Sequence, residues 1–322
     1  MAKAWLMLLG LAAGLVVMNT VPAQAATLKV CPSGCPYSTI QQALAAAANG
    51  DTISVAPGTY PGGFTIGKNV TVVGSGAGQT TVRGTGGVGV GITVASGVTV
   101  AIEALTVDAA GAVRARDAVY NYGTLTVQDA TVTGSNGNAA LLSSGALTLD
   151  HSTVSGNNTT GVRNTVNPTV PITPGRVTIY GSTISGNAGN AGIVNGEFDT
   201  MTIAGSMITG NAGQTAGGID NSGALSIRAS AISGNNAGGI ANGVNGTKGP
   251  TATLTLYRDT ITGNFGGPVG GFWNGINGVA GLHQTRVARN TGGSYGGIYN
   301  QGTLTLHDST VKYNIPNNCV GC

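Results

Sequence analysis

Charged side chains are scarce in this 322-residue sequence. It holds 14 Lys+Arg and 11 Asp+Glu, 8 % in all, where an ordinary globular chain has about 25 %. Disordered chains are rich in charge and poor in apolar residues, whereas 41 % of this chain is apolar, enough for a core. The formal net charge of +3 is spread thinly and leaves no basic stripe for phosphates, so nucleic acid is not an expected partner. Proline numbers only 11 and glycine keeps no three-residue period, which excludes a collagen-like helix. Beyond Met18 no apolar run approaches the roughly 20 residues a membrane helix needs.

What the chain has in excess is glycine, 56 residues of it. Its start reads differently from the rest. Lys3 precedes an uncharged apolar run from Trp5 to Met18, followed by Pro22 and Ala23-Gln24-Ala25. That is the pattern of a secretory signal over residues 1–25, with cleavage after Ala25 and a secreted, extracellular or cell-surface destination.

From residue 123 onward the sequence repeats. Ile/Val-Ser/Thr-Gly-Asn ends at Asn157, Asn187, Asn211, Asn235 and Asn264, with degenerate copies ending at Asn290 and Asn314. A second signature, Gly-Ile-x-Asn and its variants, ends at Asn164, Asn195, Asn221, Asn242, Asn274 and Asn300. Between them runs a Leu-Thr-Leu strand, as in Leu147-Thr148-Leu149. Each unit of about 24 residues carries three short alternating runs and nothing with a 3.6-residue period. One such unit cannot bury its own apolar face; stacked units can.

The sequence therefore predicts an all-β fold: a single-stranded right-handed parallel β-helix of about eleven coils, over residues 51–322. Residues 26–50 form an N-terminal cap, in which Ser38 is the expected N-cap and Gln41 the N3 partner of a short helix that stops at Asn49-Gly50. Residues 167–174 and 244–250 are Pro/Gly-rich and read as loops protruding from a corner.

Stacking also accounts for the composition. Equivalent residues lie about 4.8 Å apart up the stack, so columns of like charge repel. Uncharged columns are favoured: asparagine ladders at two turns, and a threonine file through Thr71, Thr99, Thr126, Thr148 and onward to Thr305. Cys31, Cys35, Cys319 and Cys322 allow three pairings or a four-thiolate zinc site. A rod ~50 Å long puts the two pairs at opposite tips, which leaves local Cys31–Cys35 and Cys319–Cys322 staples.

The repeats resemble the right-handed parallel β-helix, or pectin-lyase-like, superfamily. Residues 37–60, YSTIQQALAAAANGDTISVAPGTY, look like the cap and first coil of its secreted members. The later units are similar to the repeats of chlamydial polymorphic membrane proteins, with Ile or Val in place of their Phe. The resemblance implies a fold and leaves activity open, since the superfamily holds lyases, hydrolases, esterases and non-enzymes. Its uronate-cleaving members use clustered carboxylates on Ca²⁺, and its pectin hydrolases use Asn-Thr-Asp, Asp-Asp and Gly-His-Gly patterns. Neither clustered carboxylates nor those patterns stand in this sequence, so no metal or cofactor is expected.

Sites on such a fold are read up the columns. Aligned on the end of Leu-Thr-Leu, one outward column reads Gln128, Asp150, Tyr180, Ala204, Arg228, Tyr257, His283, His307. The next reads Asp129, His151, Gly181, Gly205, Ala229, Arg258, Gln284, Asp308. A third places Trp273 directly below Tyr299. The bulky polar residues thus gather in the last coils. His283, His307, Asp308 and Arg258 are the catalytic candidates; Trp273, Tyr299, Tyr257 and Gln284 are the candidates for stacking on and hydrogen-bonding a sugar. A non-catalytic protein binding an extracellular glycan or other surface is the leading expectation. The alternatives are a polysaccharide lyase or glycosidase with a non-standard site and, on the Thr-x-Thr pairs such as Thr200 and Thr202, an ice-binding face.

Overall fold

The computed structural model describes residues 24–84, 91–110, 117–166, 173–244 and 251–322. The expected signal segment falls almost wholly outside them, as do most of the two expected loops, 167–174 and 244–250. Within them the chain is a right-handed parallel β-helix. It winds through three sheets, one of 12 strands and two of 11, and every strand pairing is parallel. One coil shows the plan: Phe272–Asn274 lies in the third sheet, Gly278–His283 in the long sheet and Arg286–Ala288 in the second.

Register keeps like over like. Leu125, Leu147, Val177, Met201, Leu225 and Leu254 form one inward file of the long sheet. Val127, Leu149, Ile179, Ile203, Ile227 and Leu256 form another. All are buried, and each contributes roughly 1.5–3 kcal/mol of apolar burial. A medium-sized aliphatic residue, Leu, Ile, Val or Met, at each of these coils keeps the interior uniform.

Both asparagine ladders are present. At the second-to-third corner the Nδ2 of Asn157, Asn187, Asn211, Asn235, Asn264 and Asn290 each donates to the Oδ1 of the next asparagine at 2.7–3.0 Å. At the third-to-long corner the chain runs from Asn164 to Asn300 in the same way. The rungs fill the space a side chain would take: a Cβ added at Gly278 would lie 2.2 Å from Asn274 Oδ1. Glycine follows the ladder for that reason. The disulfides join Cys31 to Cys35 and Cys319 to Cys322, with Cα atoms 5.6 and 6.0 Å apart.

Four details differ from the sequence reading. The capping helix is Ile40–Ala46, and its N-cap is Thr39, not Ser38, with Gln42, not Gln41, as the reciprocal partner. Two overlapping capping boxes stand in Ser38-Thr39-Ile40-Gln41-Gln42, and the second wins because Gln42 Oε1 accepts from both Ser38 and Thr39 N–H. The helix also ends before Asn49-Gly50: Lys68 Nζ donates to the carbonyls of Leu44, Ala45 and Ala47, so no glycine cap is needed. Finally, Ala101, not Thr99, sits in the threonine file, between Thr71 and Thr126. Val98-Thr99-Val100 and Val100-Ala101-Ile102 alternate equally well, and a period of two cannot choose between them. The long sheet moreover starts with Thr27–Val30, inside the segment expected to be cap.

One rung is defective. Ser143 stands where the third-to-long ladder needs asparagine, and Asn164 Oδ1 above it is buried without a partner among the described residues. Replacing Ser143 with Asn is expected to supply the missing donor and raise stability by about 1 kcal/mol. Asn211→Ala is expected to lower it by on the order of 3 kcal/mol, because it removes the acceptor of the Asn187 N–H and Nδ2 and a donor to Ile184 O and Asn235 Oδ1. Denaturant midpoints of the two variants check both signs.

Candidate functional site

From Thr99–Glu103 onward, each long-sheet strand ends in a corner turned by one residue in the left-handed region. Ala104, Asp129, His151, Ala229, Arg258, Gln284 and Asp308 adopt φ between 46° and 59°, and Gly181 and Gly205 match them at 55° and 56°. The tight corner splays the flanking side chains outward, so the last strand residue and the corner residue of successive coils form a ridge. Ala104 and Ala229 accept the same angles with no functional side chain, so the conformation belongs to the fold and does not by itself mark chemistry.

On that ridge the two columns stack as their sequence alignment implied. Tyr257 pairs with His283 and His283 with His307 across the sheet. The imidazole centroids are 5.8 Å apart, and His307 Nδ1 lies 3.1 Å from Asp308 Oδ2. Arg258 Nε donates to Gln284 Oε1 at 2.9 Å, and its guanidinium lies 5.0 Å from the Tyr257 ring centre. The site is open to solvent: the His307 and Asp308 side chains are 71 % and 65 % exposed.

Trp273 and Tyr299 do pair across the third sheet, with ring centroids 6.1 Å apart. They are not part of the ridge. The strand Gly278–His283 separates the two groups, so they flank opposite edges of the long sheet. The aromatic group is larger than the columns indicated. Tyr295 stacks on Tyr299 at 3.8 Å and 2°, and Trp273 Nε1 donates to Gln301 Oε1 at 3.2 Å. The Tyr299 hydroxyl is held above its ordinary pKa by its hydrogen bond with Tyr295 and, after that, by burial. Tyr295 lies in the turn before the strand, and turn residues of variable-length coils cannot be aligned from the strand pattern.

Beneath the ridge runs a third ladder, of hydroxyls, that the sequence reading missed. The N–H of Ala130, Ser152, Ser182 and Ser206 donates to the Oγ of the serine one coil on, Ser152, Ser182, Ser206 and Ser230. Its signal is a Ser/Thr two residues past each long-sheet strand from Ala146–Asp150 onward, save at Asp259. Asp259 interrupts it: buried, it accepts from Ser230 and Tyr257 N–H at 2.7 and 2.8 Å. Burial raises its pKa to about 6 against the downward pull of those two bonds. Asp199, buried at the third-to-long corner, is likewise raised to about 6 by burial, opposed by Gly175 N–H.

No protein-family model and no curated protein sequence matches the chain. Solved structures do. The protein is similar to pectate lyase Pel9A at 15 % identity and a TM-score of 0.57, over 90 % of this chain and 79 % of that one. It is similar to an alginate lyase from Paenibacillus sp. str. FPU-7 at 16 % identity and 0.54, over 88 % and 99 %. Tailspike protein 2 of the Escherichia coli O157:H7 bacteriophage CAB120 matches at 13 % and 0.50, this chain covering 47 % of it. At such identities the likeness is one of fold. Among the described residues, no group of three or more His, Cys, Asp and Glu is placed to hold a metal ion, and no helix is long and apolar enough to cross a membrane.

Because the folded state holds the Asp259 proton more tightly than the unfolded chain, this group favours folding at low pH. That contribution is lost as pH rises from about 4 through about 6. Asp259→Ser, which restores the hydroxyl rung, is expected to raise the melting temperature little at pH 4 and most above pH 6.5. A melting-temperature difference that stays constant from pH 4 to 7 contradicts this.

Proposed function

We propose that this is a secreted β-helix protein that binds an extracellular glycan without cleaving it, through the aromatic face of its third sheet. Three half-buried rings, Trp273, Tyr299 and Tyr295, carry the reading. Sugars stack their C–H faces on such rings and hydrogen-bond at the edges, where Gln301 already fixes the indole N–H. Being half-buried, the rings lose little further freedom on binding. The disulfides suit an oxidising compartment. Polysaccharide-directed chemistry in the names of the similar structures, two lyases, agrees with a glycan ligand.

A second reading, a polysaccharide-cleaving enzyme, draws on one observation, the His307–Asp308 pair beside His283. Against it, the exposed ridge offers no enclosure to exclude water. The threonine files are interrupted by Ala101 and Gly281 in one and by Arg176 and Val279 in the other, which favours a glycan over ice.

A glycan array probed with the mature protein and with Trp273→Ala separates the readings when paired with a reducing-sugar assay. Binding weakened about tenfold by Trp273→Ala, with no product released, is expected. Product that vanishes in His283→Ala or Asp308→Ala would replace the binder with an enzyme.

A further inference from the structure

In this protein nearly every buried amide is used within the chain, and the ladders consume most of the asparagines. One place breaks that pattern. Where the second sheet turns to the third, a cleft of about 350 Å³ opens, lined by Asn138, Asn158, Thr160, Arg163, Asn190 and Gln214 among others. The backbone around it is zipped from coil to coil. Thr159 Oγ1 donates to Gly137 O at 2.7 Å, Asn190 N–H to Thr160 Oγ1 at 3.2 Å, and Gln214 N–H to Asn190 O at 3.1 Å. The frame is thus fixed without help from the side-chain amides of Asn138, Asn158, Asn190 and Gln214, which project from exposed positions.

Arg163 is the group that calls for a ligand. It stands on the outward face of the third sheet, paired across the strands with Leu142 and Val194. Its Nε is buried and has no hydrogen-bond partner among the described residues. A guanidinium is always charged and carries five donors in a planar fork; leaving one buried and unpaired costs on the order of 1–3 kcal/mol. A buried donor that serves the fold is normally hydrogen-bonded; Arg83, by comparison, pairs with Asp108 at 2.9 Å. Among the described residues Arg163 has no such partner. It lies on the wall of a polar cleft, ringed by groups that both donate and accept.

We propose that this cleft is a binding site for an oxyanion carried on a hydroxylated ligand, a carboxylate or sulfate group of a sugar, with Arg163 taking the oxyanion and the amides taking the hydroxyls. The fork of Arg163 matches two oxygens of either group. Asn190 and Gln214 reach the remaining polar atoms from the loops above. The site is separate from the aromatic platform: Arg163 and Trp273 share an outward file, four coils and about 19 Å apart. It stands whether or not the platform binds a glycan.

The test is calorimetric titration at fixed ionic strength, which holds general screening constant. The titrants are sodium sulfate, a uronic-acid oligosaccharide, a sulfated oligosaccharide and a neutral one. The proteins are wild type, Arg163→Gln and Gln214→Ala, the last an exposed position whose change leaves the fold intact. Saturable binding of at least one oxyanion ligand is expected, weakened about tenfold or more by Arg163→Gln and measurably by Gln214→Ala. The neutral oligosaccharide is expected to bind wild type and Arg163→Gln alike. Which acidic ligand binds most tightly identifies the source of the oxyanion. Absence of saturable binding by all three acidic titrants overturns the proposal, as does binding that both variants retain in full. Loss of neutral-glycan binding in Trp273→Ala alone reports on the platform and leaves this site untouched.

Discussion

The constraint on which the rest of this molecule depends is that each coil must sit in register on the one below. Parallel stacking brings identical positions to about 4.8 Å, so a side chain's main neighbour is its own counterpart. Apolar files then pack without a designed interior, and Asn over Asn is self-complementary, since each amide donates upward and accepts from below. Charge is the one chemistry that fails in a repeated column. The low charge and high glycine content follow from that rule and from the space the ladder amides occupy beside the chain.

Much of this was legible because the period is simple. The spacing of Asn187, Asn211 and Asn235 predicts a ladder, and the ladder exists. The alignment of Tyr257, His283 and His307 survives because those coils share one strand and one corner. What escaped are features on which a period of two is silent. Thr99 and Ala101 differ by a full pleat, so only the neighbouring coils decide which one enters the file. Tyr295 lies in a turn, where no strand pattern fixes position, and Arg163 looks in sequence like any outward residue until its lack of partners among the described residues is visible.

Against so regular a scaffold, departures carry the information. The ridge gathers charge because its one-residue corner throws side chains into solvent, and its exposure limits it to surface contact. The third sheet is different. Its outward file passes from Arg163 beside a polar cleft to Trp273 and Tyr299 under a stacked tyrosine. Both features use groups that the coil repeat does not require, held on a backbone fixed by ladders on either side. Rigidity and unused bonding capacity on one face are what a binding surface needs.

The claim that this face meets a glycan can be read from a single chromophore. The sequence has two tryptophans, Trp5 and Trp273, and only the second remains in a chain that begins at Ala26. Its fluorescence, followed while a soluble glycan from the array is titrated in, is expected to shift to shorter wavelength with saturation, as the half-exposed indole is covered. A spectrum that stays fixed while the same glycan demonstrably binds would place the binding surface elsewhere and contradict the account.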